Sequence, residues 1–268
     1  MRVSLGRWLL PVYAVLALLF LMVPIVYTFI FSFNDSQKSN ITWRGFTFDK
    51  WLNVCNVQNG AVCEAFGNSL IIGASATVAA TALGTMIAIA IVRYRFRFRS
   101  KVSLLLFLPM ATPEVVLGAG LAAQFLSVGV PKDIVTIILA HTMFCISFVV
   151  VTVKARVASL DPALEEAGRD LYGSPGQVFL RITFPLLLPG ILAAALLSFA
   201  LSFDDFIITN FNSGAVTTFP KYIYISASRG IPAEANVVAS AVFILALVIV
   251  VSAQVSSAAR AKRLAKSG

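Results

Sequence analysis

Six long apolar runs, separated by short polar stretches, dominate the chain. Each run can cross a bilayer, because a transmembrane helix needs about 20 mostly apolar residues. The runs are continuous, whereas strands of a membrane β-barrel alternate apolar and polar positions. A helix also satisfies its own backbone hydrogen bonds in lipid. The pattern therefore predicts six transmembrane helices, at about 8–33, 67–92, 102–127, 133–154, 184–209 and 236–258.

The first run is predicted to remain as a membrane anchor. Arg2 and Arg7 give it the basic start of a signal peptide. Its apolar part is much longer than the about 7–15 residues of a signal peptide, and no small-x-small cleavage site follows it. We therefore treat residues 1–268 as one transmembrane domain.

Composition agrees with this pattern. The chain is 59% hydrophobic and 12% charged, whereas a soluble domain carries about 25% charged residues. The net charge of +9 does not indicate nucleic-acid binding, because the basic residues lie between the apolar runs. They predict topology instead.

The basic residues favour a cytoplasmic N-terminus and C-terminus. With the N-terminus inside, 15 of the 21 Lys and Arg residues fall on the cytoplasmic side of the membrane. The six on the outer side are Lys38, Arg44, Lys50, Lys132, Lys221 and Arg229.

Three acidic residues fall within predicted spans: Glu114 in the third, and Asp204 and Asp205 in the fifth. An ionised carboxylate at a helix centre costs about 2.5–3.5 kcal/mol on insertion scales, and no Lys or Arg lies at mid-span to pair with them. One interpretation is an acid-lined path for a cation. The alternative is a structural role, with the two aspartates capping helix ends and Glu114 protonated. In a continuous helix, neighbouring residues such as Asp204 and Asp205 would point about 100° apart.

Prolines and aromatic residues flank these acids. Pro109 and Pro113 precede Glu114 and are predicted to kink or break the third span, and broken helices in membranes are tolerated where they line a cavity. Phe203 and Phe206 flank the aspartate pair. Aromatic faces beside carboxylates suit an organic ammonium ion, although packing against lipid also explains phenylalanines here.

The cysteines and the single histidine suggest packing and a disulfide rather than a metal site. Cys55 and Cys63 lie in the predicted outer loop and are expected to pair if that compartment is oxidising; two free thiols are the alternative. Cys145 is expected to be a small packed residue. His141 is expected to be hydrogen-bonded in the core rather than a ligand. The sequence contains no metal-binding, nucleophile or P-loop motif, so no metal, cofactor or catalytic residue is expected in this chain.

The segment "KARVASLDPALEEAGRDLYGSPGQVFLRITFP", residues 154–185, is the longest predicted cytoplasmic loop. Asp161 is expected as N-cap of a short helix with Pro162 at its first position, and Glu165 and Glu166 suit the helix dipole. "YGSPG" breaks this helix. A solvated connector is one interpretation. The loop also exposes apolar residues suited to docking a partner: Leu164, Ala167, Leu171, Val178 and Phe179.

This loop resembles the EAA loop of permease subunits of binding-protein-dependent ABC importers. The matching residues are Glu166, Ala167 and Gly168 at its start and Ile182 and Pro185 at its end. The family glycine position falls on Tyr172, and Gly173 follows one residue later. Six spans with this loop between the fourth and fifth also resemble the family. "PMATPEVVLG" and "LSFALSFDDFIITNF" look most like the spermidine/putrescine permeases.

The resemblance implies an all-α integral membrane fold of the type I ABC importer permeases, located in the cell inner membrane. Residues of about 155–183 would form a coupling loop that meets a cytoplasmic ATPase through Glu165, Glu166, Ala167, Gly168 and Gly173. The implied function is the pore subunit of an ATP-driven polyamine importer. The implied partners are a second permease subunit forming a heterodimer, two ATP-binding subunits that hold ATP and Mg²⁺, and an extracytoplasmic polyamine-binding protein.

Three alternatives stay open at this point. The same family could import another cation, such as thiamine or ferric iron. A stand-alone ion-coupled transporter is less favoured, because its expected inverted repeat is not visible. A membrane-embedded enzyme would need nucleophile or metal partners for the three acids, which the sequence does not supply.

Overall fold

A computed structural model describes residues 6–36, 42–56, 60–228 and 230–267. The described residues are helical, with one isolated bridge between Asn34 and Phe46 and no strand. Arg2, Lys38 and Arg229, which entered the topology prediction, lie outside the described residues.

Twelve helices are described in chain order. They are α1 Gly6–Phe31, α2 Asp49–Leu52, α3 Gly60–Arg93, α4 Arg99–Ala111, α5 Glu114–Ser127, α6 Ile134–Ala158, α7 Ala163–Asp170, α8 Pro175–Val178, α9 Phe184–Asp204, α10 Ile207–Asn212, α11 Phe219–Ala227 and α12 Ala233–Ser267. A π-helical turn, Phe179–Thr183, joins α8 to α9, so that Pro175–Asp204 forms one helix of 30 residues.

Five of the described helices are long and apolar enough to span a membrane, and the number is six if a bent helix pair counts as one span. The five are Leu9–Phe31, Gly60–Arg93, Ile134–Ala158, Pro175–Asp204 and Ala233–Ser252. The bent pair is α4 and α5, which meet at 107°. The prediction of an all-α membrane protein is thus confirmed, with five or six candidate spans among the described residues.

The third span, predicted at 102–127 with a kink or break at its prolines, consists of the two helices α4 and α5. It breaks at Thr112, whose ψ of 132° is extended. Pro113 explains this, because proline disfavours helical backbone at the residue before it and cannot donate an amide hydrogen bond. Pro109, in contrast, stays inside α4. The expected break therefore occurs at the second proline, directly before Glu114.

The fifth span also departs from its predicted bounds of 184–209. Its helix ends at Asp204, and Asp205 has extended backbone with ψ 122°. A new helix, α10, begins at Ile207. The expectation that the two aspartates share a continuous helix is therefore wrong, since the chain changes direction between them.

The chain divides into two compact units, residues 1–63 with 223–268 and residues 64–222. In the first, α1 and α2 pack against α12, and Lys50 Nζ lies 3.0 Å from Glu234 Oε1. In the same unit Cys55 and Cys63 are joined by a disulfide. This bond closes the segment that connects α2 to α3.

The second unit is organised around α6. Asp133 caps this helix by accepting from the amides of Val135 and Thr136, and the Thr136 hydroxyl accepts from the Asp133 amide in return. Helices α4, α9 and α10 pack against α6. Val149 and Val153 of α6 are fully buried with Leu187 of α9. Helices of both broken spans, α4 and α9 with α10, therefore pack against α6 in this core.

Close approach of α3 to α6 depends on Gly84. A Cβ atom placed there would lie 2.6 Å from Val149 Cγ1 and 2.8 Å from Val149 Cβ. Small residues allow helices in lipid to pack backbone against side chain in this way. Gly84 is therefore a contact position rather than a flexible one.

We expect Gly84→Ala to destabilise the second unit by about 1–3 kcal/mol, because the methyl group overpacks a filled site. Gly120→Ala is the matched control. Gly120 lies inside α5, where a Cβ atom added to it would have no atom within 4 Å, so this change should be neutral or stabilising by about 0.5–1 kcal/mol. The apparent melting temperature of the purified protein in detergent measures both. Equal melting temperatures for the two variants would contradict the packing argument.

Candidate functional site

Asp205 lies at the break in the fifth span and caps α10. Its Oδ1 accepts from the amide of Ile208 at 3.3 Å, and its Oδ2 accepts from the amide of Thr209 at 2.8 Å. The amides of a helix's first turn have no partner within the helix. The carboxylate supplies that partner, so capping is what places an acid here.

His141 of α6 pairs with this carboxylate. Its Nε2 lies 3.1 Å from Asp205 Oδ2 and 3.0 Å from Thr209 Oγ1, and its Nδ1 lies 2.7 Å from Ser202 Oγ. The histidine and aspartate side chains are 1% and 4% exposed. Because a carboxylate oxygen accepts, His141 Nε2 donates to Asp205 Oδ2, and Ser202 Oγ is the hydrogen-bond partner of Nδ1.

The pairing of His141 with Asp205 was missed in the sequence. Hydrogen-bonded packing was expected for His141, and the structure shows that. The expectation that no base accompanies the mid-span acids overlooked histidine, since only Lys and Arg were considered. A mid-span histidine in a chain with mid-span aspartates was the available signal, because polar groups in membranes pair with one another.

Asp204 and Glu114 are placed differently from Asp205. Asp204 is exposed at the last residue of α9, and Glu114 is exposed in the first turn of α5. Within this chain their carboxylates are exposed, whereas that of Asp205 is enclosed. Of the three acids predicted to line a path, two are exposed in this chain and one is buried.

The two broken spans meet through α5 and α10. Asn212 Nδ2 donates to the Gly118 carbonyl at 3.1 Å, and a Cβ atom at Gly118 would lie 3.2 Å from Ile208 Cα. The helix that begins at Glu114 thus packs directly on the helix that follows Asp205. The described structure brings the two predicted acidic regions onto adjoining helices.

The phenylalanines beside the aspartates are half-buried. The ring of Phe203 packs edge-on against Phe66 and stacks with Phe199, each at 5.8 Å between centroids. Phe206 precedes α10. The ring contacts cover most of Phe203. The rest of this side chain is exposed, and the next residue in the sequence is Asp204.

The coupling loop places its two glutamates in different environments. Glu165 is half-buried, its Oε1 3.0 Å from Arg93 Nη2 at the end of α3 and accepting from Thr183 Oγ1 at 3.2 Å. Glu166 is exposed, as is Ala167. A cleft of about 570 Å³ lies beside the Arg93–Glu165 ion pair, and its lining includes Arg93, Glu165 and Glu166. The sequence predicted that both glutamates contact an ATPase. In the structure, Glu165 points inward to Arg93 and Glu166 is exposed.

The helix of the coupling loop begins one residue later than predicted, at Ala163. Asp161 still acts as the cap, because its Oδ1 accepts from the Ala163 amide at 2.9 Å. Gly168 is buried on the inner side of the helix. A Cβ atom there would lie 2.6 Å from Ile182 Cδ1 and 3.2 Å from Val178 Cγ2, so a larger residue would require these side chains to shift.

The turn that ends α7 settles the register of the loop. The Gly173 amide donates to the Gly168 carbonyl at 3.1 Å, and the Tyr172 amide donates to the Arg169 carbonyl at 2.9 Å. These two bonds define a Schellman motif, which requires left-handed backbone at its central residue. That residue is Tyr172, with φ of 60°. Tyr172 therefore occupies the conformation for which glycine is suited.

We expect Asp205→Ala to destabilise the protein by about 1–3 kcal/mol, because it leaves the amides of Ile208 and Thr209 without their acceptor and removes the carboxylate partner of His141. Asp204→Ala is the control, and as a change at an exposed position it should stay within about 0.5 kcal/mol. Thermal unfolding in detergent compares them. A larger loss for Asp204→Ala than for Asp205→Ala would contradict the assignment.

Comparison with known proteins places the chain in a family. Residues 80–265 match the family described as "Binding-protein-dependent transport system inner membrane component". The chain is 32% identical over 254 residues to the spermidine/putrescine transport system permease protein PotC of Escherichia coli K12, covering 94% of this chain and 93% of PotC. It is 36% identical over 229 residues to the putrescine transport system permease protein PotI of the same organism, covering 82% and 80% of the two chains.

A solved structure supports the fold. A chain of a bacterial ABC transporter involved in the import of the acidic polysaccharide alginate aligns with a TM-score of 0.68 at 17% identity, covering 94% of this chain and 96% of that one. The predicted resemblance to spermidine/putrescine permeases is confirmed by these findings. This chain belongs to the family of inner-membrane components of binding-protein-dependent transport systems.

Proposed function

We propose that this chain is the pore subunit of an ATP-driven importer that moves spermidine or putrescine into the cytoplasm. The observation that carries the proposal is its 32% identity to PotC over 94% of the chain. Another cation as substrate, or a stand-alone transporter, is not favoured, because PotC and PotI are both named as polyamine permeases and the family is binding-protein-dependent.

The proposed complex contains a second permease subunit, two ATP-binding subunits and an extracytoplasmic binding protein. ATP and Mg²⁺ would be held by the ATP-binding subunits, and this chain would carry no cofactor. The excess of basic residues on one side supports cytoplasmic termini. This orientation puts α7 on the cytoplasmic side, where an ATPase can reach it.

Polyamine passage would use the exposed carboxylates of Asp204 and Glu114. A polyamine carries several ammonium groups that lose hydration on entering a membrane, and separated carboxylates offset that loss. Exposed acids bind such groups weakly enough for release, since water screens the contact. The exposed part of Phe203 and that of Phe206 would add cation–π contact. Asp205 would act indirectly, by holding the break at which Asp204 is presented.

Coupling to ATP hydrolysis would use α7. Glu166 and Ala167 face outward for the ATP-binding subunit, while Glu165 ties the helix to Arg93 of α3. Because the same loop continues through the 30-residue helix Pro175–Asp204, a displacement of α7 has a rigid route to the fifth span.

The test is uptake of radiolabelled spermidine and putrescine by cells that carry or lack this chain, with its companion subunits supplied. Uptake should require this chain and ATP. Asp204→Asn should lower uptake by about tenfold, equivalent to about 1.4 kcal/mol in the barrier, with complex assembly unchanged. Asp35→Asn, an exposed aspartate in the predicted outer loop, is the matched control and should leave uptake unchanged. An assembled, ATPase-active complex that imports neither polyamine would refute the proposed substrate.

We expect charge exchange between Arg93 and Glu165 to rescue coupling. Arg93→Glu and Glu165→Arg, made singly, place like charges at a site where opposite charges now lie 3.0 Å apart. Each should therefore reduce substrate-stimulated ATPase activity of the reconstituted complex. The double variant restores opposite charges and should recover most of the stimulation. A double variant no better than either single one would rule out a functional ion pair.

A further inference from the structure

Tyr172 holds an unfavourable backbone conformation in the coupling loop. Its φ is 60°, in the left-handed region that costs a residue with a side chain about 1–2 kcal/mol. For a bulky residue this is a genuine outlier. It is also the only non-glycine residue with positive φ in the part of the chain that is described.

The surrounding turn imposes this conformation. Gly173 sits so close to the end of α7 that a Cβ atom there would lie 2.6 Å from the Gly168 carbonyl oxygen and 3.1 Å from Val178 Cγ2. The two Schellman hydrogen bonds fix the backbone on either side of residue 172. Whatever residue stands at this position must be left-handed, and glycine or asparagine would adopt that conformation at lower cost.

The tyrosine side chain gains little burial within this chain in return. Tyr172 is 99% exposed, and the neighbouring Leu171 is 82% exposed. A strained residue persists where its surroundings over-determine it, and such residues cluster at functional sites and ligand clamps. The strain therefore points to a contact outside this chain.

Leu171 and Tyr172 extend an exposed apolar stripe along α7. Leu164, Ala167 and Leu171 follow one another at spacings of three and four residues, which places them on one face of the helix, and all three are exposed. Gly168 is buried on the inner side. On the side away from the buried Gly168, the stripe is bordered by the exposed acids Glu166 and Asp170. An apolar centre with a polar rim is typical of a protein interface.

We propose that Tyr172, with Leu171 beside it, is the anchor that inserts into a pocket of the cytoplasmic ATP-binding subunit. This inference rests on the proposed function, because it names the contact residue of the coupling surface. The occupant follows from position: the stripe runs along the outward face of α7, on the predicted cytoplasmic side, and ends at this turn. Aromatic anchors of this kind dominate the binding energy of interfaces.

The test compares substitutions that separate the ring from the backbone. Tyr172→Gly and Tyr172→Asn both accept left-handed backbone more readily than tyrosine, but neither has the ring. Tyr172→Phe keeps the ring. The permease pair is reconstituted in nanodiscs, and its affinity for the fluorescently labelled ATP-binding subunit of the same importer is measured, with substrate-stimulated ATPase activity as the second readout. Glu166→Arg, on the same helix, reports whether α7 docks at all.

We expect Tyr172→Gly and Tyr172→Asn to weaken binding by about tenfold or more, as loss of an interface anchor does, and Tyr172→Phe to stay within about threefold of the parent. Parent-like binding by the Gly and Asn variants, with binding lost in Glu166→Arg, would overturn the anchor and leave the docking of α7 standing. A parent permease that does not bind the ATP-binding subunit would overturn the proposed function as well.

Discussion

A carboxylate enclosed within a membrane domain needs its acceptor capacity filled, and the arrangement around Asp205 follows from that constraint. Two backbone amides of α10 and the ring of His141 surround it. The amides are available only because the helix of the fifth span stops and restarts at this residue. The break and the acid therefore stabilise each other: without the break the amides would be used within a helix, and without the acid they would be unpaired.

This constraint gives the adjacent aspartates opposite roles. In a continuous helix both would face the same choice between pairing and exposure. The change of backbone direction after Asp204 encloses one carboxylate and leaves the other exposed. The same division recurs in the coupling loop, where Glu165 turns inward to Arg93 and Glu166 outward. In both pairs one acid positions the backbone from which the other is presented.

The sequence predicted what depends on local pattern. Continuous apolar runs gave the six spans, and Pro113 accounts for the break in the third, because its effect on the preceding residue is local. A helix end at the two aspartates could be predicted only as one of two alternatives, because "SFDDF" contains no proline or glycine and the hydrogen bonds that stabilise the break come partly from His141 in another helix. The partner of Glu165 was hidden for the same reason, since Arg93 is distant in the sequence. The prediction that Cys55 and Cys63 pair needed only their spacing in the sequence and their expected location in an oxidising compartment.

The conformation of Tyr172 joins these local and distant effects. Its left-handed backbone is set by packing between Gly168, Gly173 and the turn that leads into the fifth span. From there the chain is helical without interruption to Asp204. On the proposed function, a contact made at the tip of α7 is therefore connected by rigid structure to the residue where the fifth span breaks. The ion pair between Glu165 and Arg93 connects the same loop to α3. On the same proposal, a short loop with a fixed turn would transmit a displacement of α7 along these two routes, whereas a flexible connector would absorb it.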